Sequence, residues 1–182
     1  INGKLLGIEP LNREICLEII DECLENHFPF AVSLGDNPQL YSCNDWINGY
    51  HLPGDLIIDE TLDFHQVDQI FKIFIMATPK QESLLKSIHK LGYMRYHGDQ
   101  LIVEPIEKYQ GILKMVDILK GNPQDIVVLG DGINDISMMK QAPCSIAMGN
   151  AIDEVKKAAT FVTKSNKEDG IEFACKYFGW ID

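Results

Sequence analysis

The sequence contains no arrangement of cysteine and histidine that is typical of a zinc site. Its cysteines are scattered along the chain and no two of them form a CxxC pair; they are Cys16, Cys23, Cys43, Cys144 and Cys175. An odd number of widely spaced cysteines is typical of free thiols in a reducing compartment, not of a disulfide framework. We therefore expect a cytoplasmic protein with neither structural zinc nor disulfides.

Long apolar runs and positive charge are also scarce. No stretch approaches the ~20 apolar residues that a membrane-spanning helix needs, and the opening INGKLL is not followed by the apolar run of a signal peptide. Sixteen Lys and Arg against 27 Asp and Glu give a formal net charge of −11. We therefore expect neither a membrane nor a nucleic-acid partner, because both attract basic surfaces. A small anionic substrate stays compatible if a cation acts as intermediary.

The 182 residues are 46% hydrophobic, which is enough for one compact domain or two small ones. The first half mixes helical and strand patterns without regular alternation, and Asn12 is the predicted N-cap of its first helix. We predict helices over 12–27, 62–71 and 79–92, and strands over 29–35, 39–43, 56–59, 72–78, 93–98 and 100–105.

The second half alternates helix and strand patterns. Predicted helices over 108–121, 134–142, 150–159 and 168–180 are separated by strands over 125–131, 145–149 and 161–164. This alternation predicts an α/β fold with a parallel sheet covered by helices. We place a boundary near residue 100, between an α+β module (1–99) and an α/β half-domain (100–182). The strand DIVVL (125–129) needs a further neighbour, which no other segment of the chain resembles.

The stretch VVLGDGIND (127–135) carries two carboxylates at the exit of a predicted buried strand. Ligands of open α/β sheets gather at this end of the strands, and the glycines on either side of Asp131 allow a sharp turn. Asn134 and Asp135 then open the next helix. Oxygen ligands on a short turn suit Mg²⁺. The alternative is that these side chains only cap the helix.

Two more residues have both a functional and a structural interpretation. Lys108 follows the strand LIVEP and begins a helix, so it can reach the same sheet edge and neutralise phosphoryl charge; otherwise it is a solvated surface lysine. Asn150 precedes a helix and has Asp153 three residues later, which resembles a capping box. A place at the edge of the site is the other interpretation of Asn150.

The stretch GDGINDISMMKQAPCSIAMGNAIDEVKKAATFVTKSNKEDGI (130–171) resembles the C-terminal part of the haloacid dehalogenase-like superfamily, and more narrowly its Cof-type sugar-phosphate phosphatases. The resemblance implies the C-terminal half of a Rossmann-like core, preceded by an α+β cap domain. It implies Mg²⁺ as cofactor and a small phosphorylated metabolite as substrate. Asp131 would be a metal ligand. Asp135 would be a catalytic acid that either ligates the metal or orients water and Lys108. Asn134 would lie near the phosphoryl group, and Lys108 would be the catalytic cation that contacts the phosphate.

The same resemblance implies an aspartate nucleophile in a DxDGT motif, and the sequence has no such motif. The nearest candidates, GDNP, GDLIIDE and GDQL, do not follow a buried strand. We therefore expect that the chain is a fragment that lacks about 80 residues and is inactive alone. INGKLL would then be the point at which the intact chain passes from its core to its cap.

Other readings remain open from the sequence. Phosphoserine phosphatases and the phosphorylation domain of cation-pumping ATPases carry similar motifs, although the stretch AMGNA favours the Cof type. The alternative that is not an enzyme is a non-catalytic module that binds metal or phosphate. The sequence does not indicate the substrate or the oligomeric state.

Overall fold

The computed structural model describes residue 7, residues 9–105 and residues 107–182. The opening INGKLL lies outside these residues. The chain divides into two units, and the division falls after Pro105. This is later than the boundary expected near residue 100, because the strand Gln100–Val103 pairs with two strands of the first unit.

The first unit is built on a six-stranded sheet in the order β3-β2-β1-β4-β6-β5. Strands β2 and β3 run parallel, and every other neighbouring pair is antiparallel. The strands are β1 Phe30–Ser33, β2 Gln39–Ser42, β3 Asp55–Ile58, β4 Lys72–Met76, β5 Tyr93–His97 and β6 Gln100–Val103. All of the strands predicted in this half are confirmed.

Helix α1 (Arg13–Glu25) is the one α-helix among the described residues of the first unit. The side chain of Asn12 accepts a hydrogen bond from the amide of Ile15 at 3.1 Å, which confirms the predicted N-cap. The helix buries the face that carries Ile19 and Ile20 in a core shared with β-strand residues such as Ile73. This core covers one face of the sheet, because successive strand residues point to opposite faces.

The helix predicted over 62–71 is wrong. The segment forms a single 3₁₀ turn, Phe64–Gln66, and is otherwise irregular. Its backbone groups have partners elsewhere in the unit: Ile70 accepts from the amide of Leu11, and Val67 accepts from the Arg13 guanidinium at 2.6 Å. A helix over 62–71 would bind the Val67 carbonyl to the amide of Phe71, which instead donates to Ser33 at 2.9 Å, so the tertiary partners decide the conformation.

The helix predicted over 79–92 is also wrong, since the segment forms two 3₁₀ turns, Glu82–Leu84 and Ile88–Lys90. Between them, the amide of Ser87 donates to the carboxylate of Glu22 at 3.1 Å, and its hydroxyl donates to Glu18 at 2.7 Å. These charge-assisted bonds are stronger than the single helical bond that the Ser87 amide gives up. These bonds hold the segment against α1, and it does not form a continuous helix.

The second unit confirms the predicted α/β pattern. Three parallel strands, β7 (Val127–Gly130), β8 (Cys144–Ala147) and β9 (Phe161–Val162), form a sheet in that order. The helices are α2 Lys108–Ile118, α3 Ile136–Gln141, α4 Asp153–Ala158 and α5 Gly170–Tyr177. Among the described strands, β7 pairs only with β8. The further neighbour that the sequence predicted for this strand is therefore not found among them. In the described part of the chain, no helix has the length and apolar character of a transmembrane segment.

Candidate active site

The loops that leave the three parallel strands of the second unit are tied together at their carboxyl ends. The amide of Met148, after β8, donates to the carbonyl of Gly130 at the end of β7, at 3.0 Å. On the other side, the amide of Gly149 donates to the carbonyl of Lys164, after β9, at 2.9 Å. These bonds bring the loop of Asp131 and the two neighbouring loops to one edge, as expected for an open α/β sheet.

Asp135 is the buried acid of this edge, with 7% of its surface exposed. Its Oδ2 accepts hydrogen bonds from the amides of Asp131 at 3.0 Å and Gly132 at 3.1 Å, and its Oδ1 accepts from Lys108 Nζ at 2.7 Å. Burial alone raises the pKa of the Asp135 carboxyl. The bonds from Lys108 and the two amides outweigh burial, so the pKa lies below its ordinary value of 3.8 and the carboxylate stays ionised.

The glycine at position 130 is required by the same carboxylate. A Cβ atom at Gly130 would lie 2.6 Å from Oδ2 of Asp135, which is closer than real Cβ contacts. The turn after β7 therefore folds directly against Asp135. The sequence predicted a sharp turn here, and the structure shows that the missing side chain at Gly130 makes room for the acid five residues later.

Lys108 is the first residue of α2, and its neighbours hold it beside the sheet edge. Tyr109 is buried in the core of the second unit. Glu107 accepts a hydrogen bond at 3.3 Å from Ser137, near the start of α3. The Lys108 side chain is 36% exposed although it pairs with Asp135. It is therefore an anchored cation with one exposed side, as the phosphate-binding interpretation requires, and not a freely solvated lysine.

Asp131 is exposed at the end of β7, and one of its carboxylate oxygens is held. Asn150 Nδ2 donates to Asp131 Oδ2 at 3.0 Å. Among the described residues, no hydrogen bond reaches Oδ1 of Asp131. Asn134 lies in the 3₁₀ turn Ile133–Asp135 and is half-buried. The structure thus brings Asp131, Asn134, Asp135 and Lys108 to one edge.

The capping role considered for Asn150 is wrong. Helix α4 begins at Asp153, and its N-cap residue is Ile152, so Asn150 lies too early to cap it. Its side chain instead bridges two loops: besides donating to Asp131, Asn150 accepts a hydrogen bond on Oδ1 from the amide of Asn166 at 2.9 Å. Sequence reasoning could not assign these partners, since both depend on the pairing of β8 with its neighbours.

The donor set at this edge suits a hard cation that also uses ligands from outside the protein. Within the described ranges, no cluster of three or more His, Cys, Asp or Glu side chains is suited to hold a metal ion. Asp131 offers a carboxylate oxygen, and Mg²⁺ usually binds through one or two carboxylates together with water and substrate phosphate. Both oxygens of Asp135 already accept hydrogen bonds. Metal ligation by Asp135 stays a prediction, and the observed bonds favour its other expected role, the orientation of Lys108.

A family model described as haloacid dehalogenase-like hydrolase matches residues 1–174. This match confirms the resemblance predicted from residues 130–171. The putative phosphatase YkrA of Bacillus subtilis is 33% identical over 120 residues, which are 65% of this chain and 47% of that protein. The 5-amino-6-(5-phospho-D-ribitylamino)uracil phosphatase YcsE of the same organism is 37% identical over 148 residues, which are 81% of this chain and 51% of that protein. The chain therefore spans about half the length of these curated relatives.

Solved structures share the fold. A hypothetical protein from Geobacillus kaustophilus is 26% identical with a TM-score of 0.74, over 100% of this chain and 73% of that one. The sugar phosphatase BT4131, of haloacid dehalogenase subclass IIB, is 24% identical with a TM-score of 0.77, over 100% of this chain and 72% of that one. At these identities, the similarity concerns the α/β fold with its parallel sheet and helices.

Proposed function

Because the chain belongs to the haloacid dehalogenase-like hydrolase family, we propose that it is part of a Mg²⁺-dependent phosphatase acting on small phosphate monoesters, such as sugar phosphates. One observation carries the proposal: Asp131 and the Lys108–Asp135 ion pair meet at the carboxyl edge of a parallel sheet. A cation held by the Asp131 carboxylate, next to the anchored ammonium group of Lys108, would form a binding place for a phosphate dianion. The divalent cation and the ammonium group would together offset the charge of the phosphate in a protein whose formal net charge is −11.

In the proposed reaction each residue has a separate task. Asp131 would hold Mg²⁺ through the oxygen that Asn150 leaves unbonded, and the bound ion would supply positive charge to a phosphoryl oxygen. Lys108 binds the phosphoryl group from the protein side. Asp135 holds Lys108 in place, and Asn134 lies next to the phosphoryl group. The supporting geometry is the short bond from Lys108 to a carboxylate that two loop amides also hold.

The proposed substrates are small phosphorylated metabolites. The name of YcsE describes a phosphatase for one such compound, 5-amino-6-(5-phospho-D-ribitylamino)uracil. BT4131 is described as a sugar phosphatase. We propose that the first unit, with its six-stranded sheet and α1, acts as the cap that selects among such substrates.

The proposed pathway uses a phospho-aspartyl intermediate, and the attack on phosphorus is not assigned to any residue described above. No DxDGT stretch occurs in the 182 residues. We therefore propose that the 182-residue chain alone binds Mg²⁺ and phosphate without turnover. Release of phosphate from a small phosphomonoester by the purified chain, dependent on Mg²⁺ and abolished by Asp131→Ala, would contradict this part of the proposal.

Binding of Mg²⁺ and inorganic phosphate to the ¹⁵N-labelled chain tests the site directly. Together they should shift the amide signals of Asp131 and Gly132. Asp131→Ala should remove the Mg²⁺-dependent part of the shift, and Lys108→Ala should weaken phosphate binding about 10-fold or more, because a charge-assisted hydrogen bond is lost.

The matched control is Lys176→Ala, which removes a lysine paired with Glu172 on the exposed face of α5. Its phosphate affinity should equal that of the wild type. Equal phosphate affinities of the wild type and Lys108→Ala would refute the assigned role of Lys108.

A non-catalytic module that binds metal or phosphate is the second candidate. It is favoured by one observation, the presence of the phosphate side of the site in a chain without a DxDGT stretch. Tight binding of phosphate in every form of the protein found in its source cell, with no turnover in any of them, would favour this candidate over the phosphatase.

A further inference from the structure

We propose that Asn150 is a positioning residue that holds the Asp131 carboxylate by one oxygen, so that Asp131 presents only the other oxygen to a divalent cation. The inference rests on the proposed function, because it concerns the cation that Asp131 would bind. It adds a consequence that the proposed function does not contain: Asn150 makes the site favour Mg²⁺ over Ca²⁺.

Both the nitrogen and the oxygen of the Asn150 side-chain amide form hydrogen bonds. Nδ2 donates to Asp131 Oδ2 at 3.0 Å, and Oδ1 accepts from the amide of Asn166 at 2.9 Å. The two partners determine which end of the amide faces which loop. A flipped side chain would set its oxygen against a carboxylate oxygen and its NH₂ against an N–H donor. Asn150 therefore presents a donor to Asp131.

The backbone on both sides of Asn150 is also held. Gly149 donates to the carbonyl of Lys164 at 2.9 Å, and Ile152 donates to the carbonyl of Asp131 at 3.2 Å. A Cβ atom at Gly149 would lie 2.6 Å from the amide nitrogen of Ser165, so the loop after β8 lies against the loop after β9. The Asn150 side chain starts from a fixed point and spans from one neighbouring loop to the other.

The consequence follows from the ligand geometry of the two cations. Mg²⁺ requires a nearly octahedral shell in which each carboxylate gives one oxygen, whereas Ca²⁺ accepts larger shells and carboxylates that bind through both oxygens. A hydrogen bond from Asn150 to Oδ2 competes with ligation through both oxygens. Partners that orient a metal ligand in this way typically change metal affinity by about 10–100-fold when they are removed.

Titration of the 182-residue chain with Mg²⁺ and, separately, with Ca²⁺ tests the inference. The amide signals of Asp131 and Gly132 report binding in the ¹⁵N spectrum. In Asn150→Ala, Mg²⁺ affinity should fall about 10-fold or more, and Ca²⁺ affinity should fall less. The ratio of the two affinities is the decisive readout, because a purely structural loss would weaken both cations alike.

A spectroscopic signature accompanies this ratio. In the wild type, the amide signal of Asn166 should shift when Mg²⁺ is added, because Asn150 connects it to Asp131. In Asn150→Ala it should not respond. The matched control is Asn166→Ala, which removes an amide side chain from the same edge and keeps the backbone N–H that Asn150 accepts; its Mg²⁺ affinity should equal that of the wild type.

The variant Asn150→Asp serves if Asn150→Ala does not fold. It keeps the size of the side chain and removes the donor, so the preference for Mg²⁺ over Ca²⁺ should fall whatever the absolute affinities are. An unchanged ratio of affinities in a folded Asn150 variant would overturn the inference alone. A wild-type chain that responds to neither cation, even at millimolar concentration, would overturn the proposed metal site and this inference with it.

Discussion

Polar side chains do different work in the two units. In the first unit they bind backbone groups of segments that are neither helix nor strand, as Arg13 does with the carbonyl of Val67 and Glu22 with the amide of Ser87. In the second unit they converge on the end of one strand, where Asp135 holds its own loop and Lys108. Similar charged contacts thus support irregular segments in one unit and assemble the candidate site in the other.

The largest expected effect is in the core of the first unit. Ile73 lies on β4, is fully buried and pairs with Val32 and Val103 of the neighbouring strands. Ile73→Ala should lower the free energy of unfolding by about 3 kcal/mol, because it leaves a cavity in a packed core. Urea unfolding followed by the fluorescence of Trp46, in a Trp180→Phe background, measures this loss.

The control for the core variant is Ile146→Ala, the same change at a fully buried position of β8. The fluorescence of Trp180, in a Trp46→Phe background, should report the loss in the free energy of unfolding for this variant. A loss below about 1 kcal/mol for Ile73→Ala would show that the β4 site collapses around the smaller side chain, and would contradict the expectation of a cavity in a packed core.

An intermediate effect is expected at the site of the second unit. Asp135→Asn removes the charge partner of Lys108 and places an NH₂ group beside donors that now bind oxygens. The free energy of unfolding should fall by about 2 kcal/mol, because buried donors lose their acceptor. Urea unfolding followed by Trp180 checks this.

The reference for the site variant is Glu172→Gln, which breaks the exposed Lys176 pair of α5. Such a pair is worth about 0.3–0.5 kcal/mol. Equal losses for Asp135→Asn and Glu172→Gln would contradict the description of Asp135 as the acid that holds this loop.

The smallest expected effect is a dependence on pH in the first unit. Hydrogen bonds from Arg95 and Tyr93 lower the pKa of the Glu82 carboxyl below its ordinary value of 4.5, against the opposing effect of burial. The stabilisation from Glu82 is therefore present above about pH 4.5 and is lost as the pH falls through the lower, folded-state pKa. Glu82→Gln should be less stable than the wild type at neutral pH.

Urea unfolding of both proteins at pH values above and below 4.5 measures this dependence. The difference in the free energy of unfolding between wild type and Glu82→Gln should narrow as the solution is acidified. A difference that stays constant down to pH values at which the protein still folds would show that the charge of Glu82 does not matter to the fold.

Several elements could be predicted from the sequence because their signals are local. Asn12 caps α1, the continuous apolar run before Asp131 forms β7, and the alternation of elements after Lys108 produces a parallel sheet. The motif around Asp131 also indicated the sheet edge at which the candidate site lies. In each case the sequence signal lies within a short stretch of the chain, so composition and spacing were sufficient for the prediction.

The segments 62–71 and 79–92 show why other elements could not be predicted. Both carry apolar residues at intervals that favour helix, yet their carbonyls and amides bind partners that are far away in sequence. The amide of Ser87 reaches Glu22 across 65 residues. Periodicity reports which side chains are buried and not which backbone groups have other partners, so the helix prediction was wrong in both segments.

The site divides in the same way. The sequence by itself indicated the candidate site residues, because carboxylates after a buried strand and a lysine at a helix start are recognisable from local pattern. Only the tertiary structure decided that Asp135 holds Lys108 and two loop amides, and that Asn150 binds Asp131 instead of capping α4. The physical reason is that these hydrogen bonds join loops which become neighbours only when β7, β8 and β9 pair side by side.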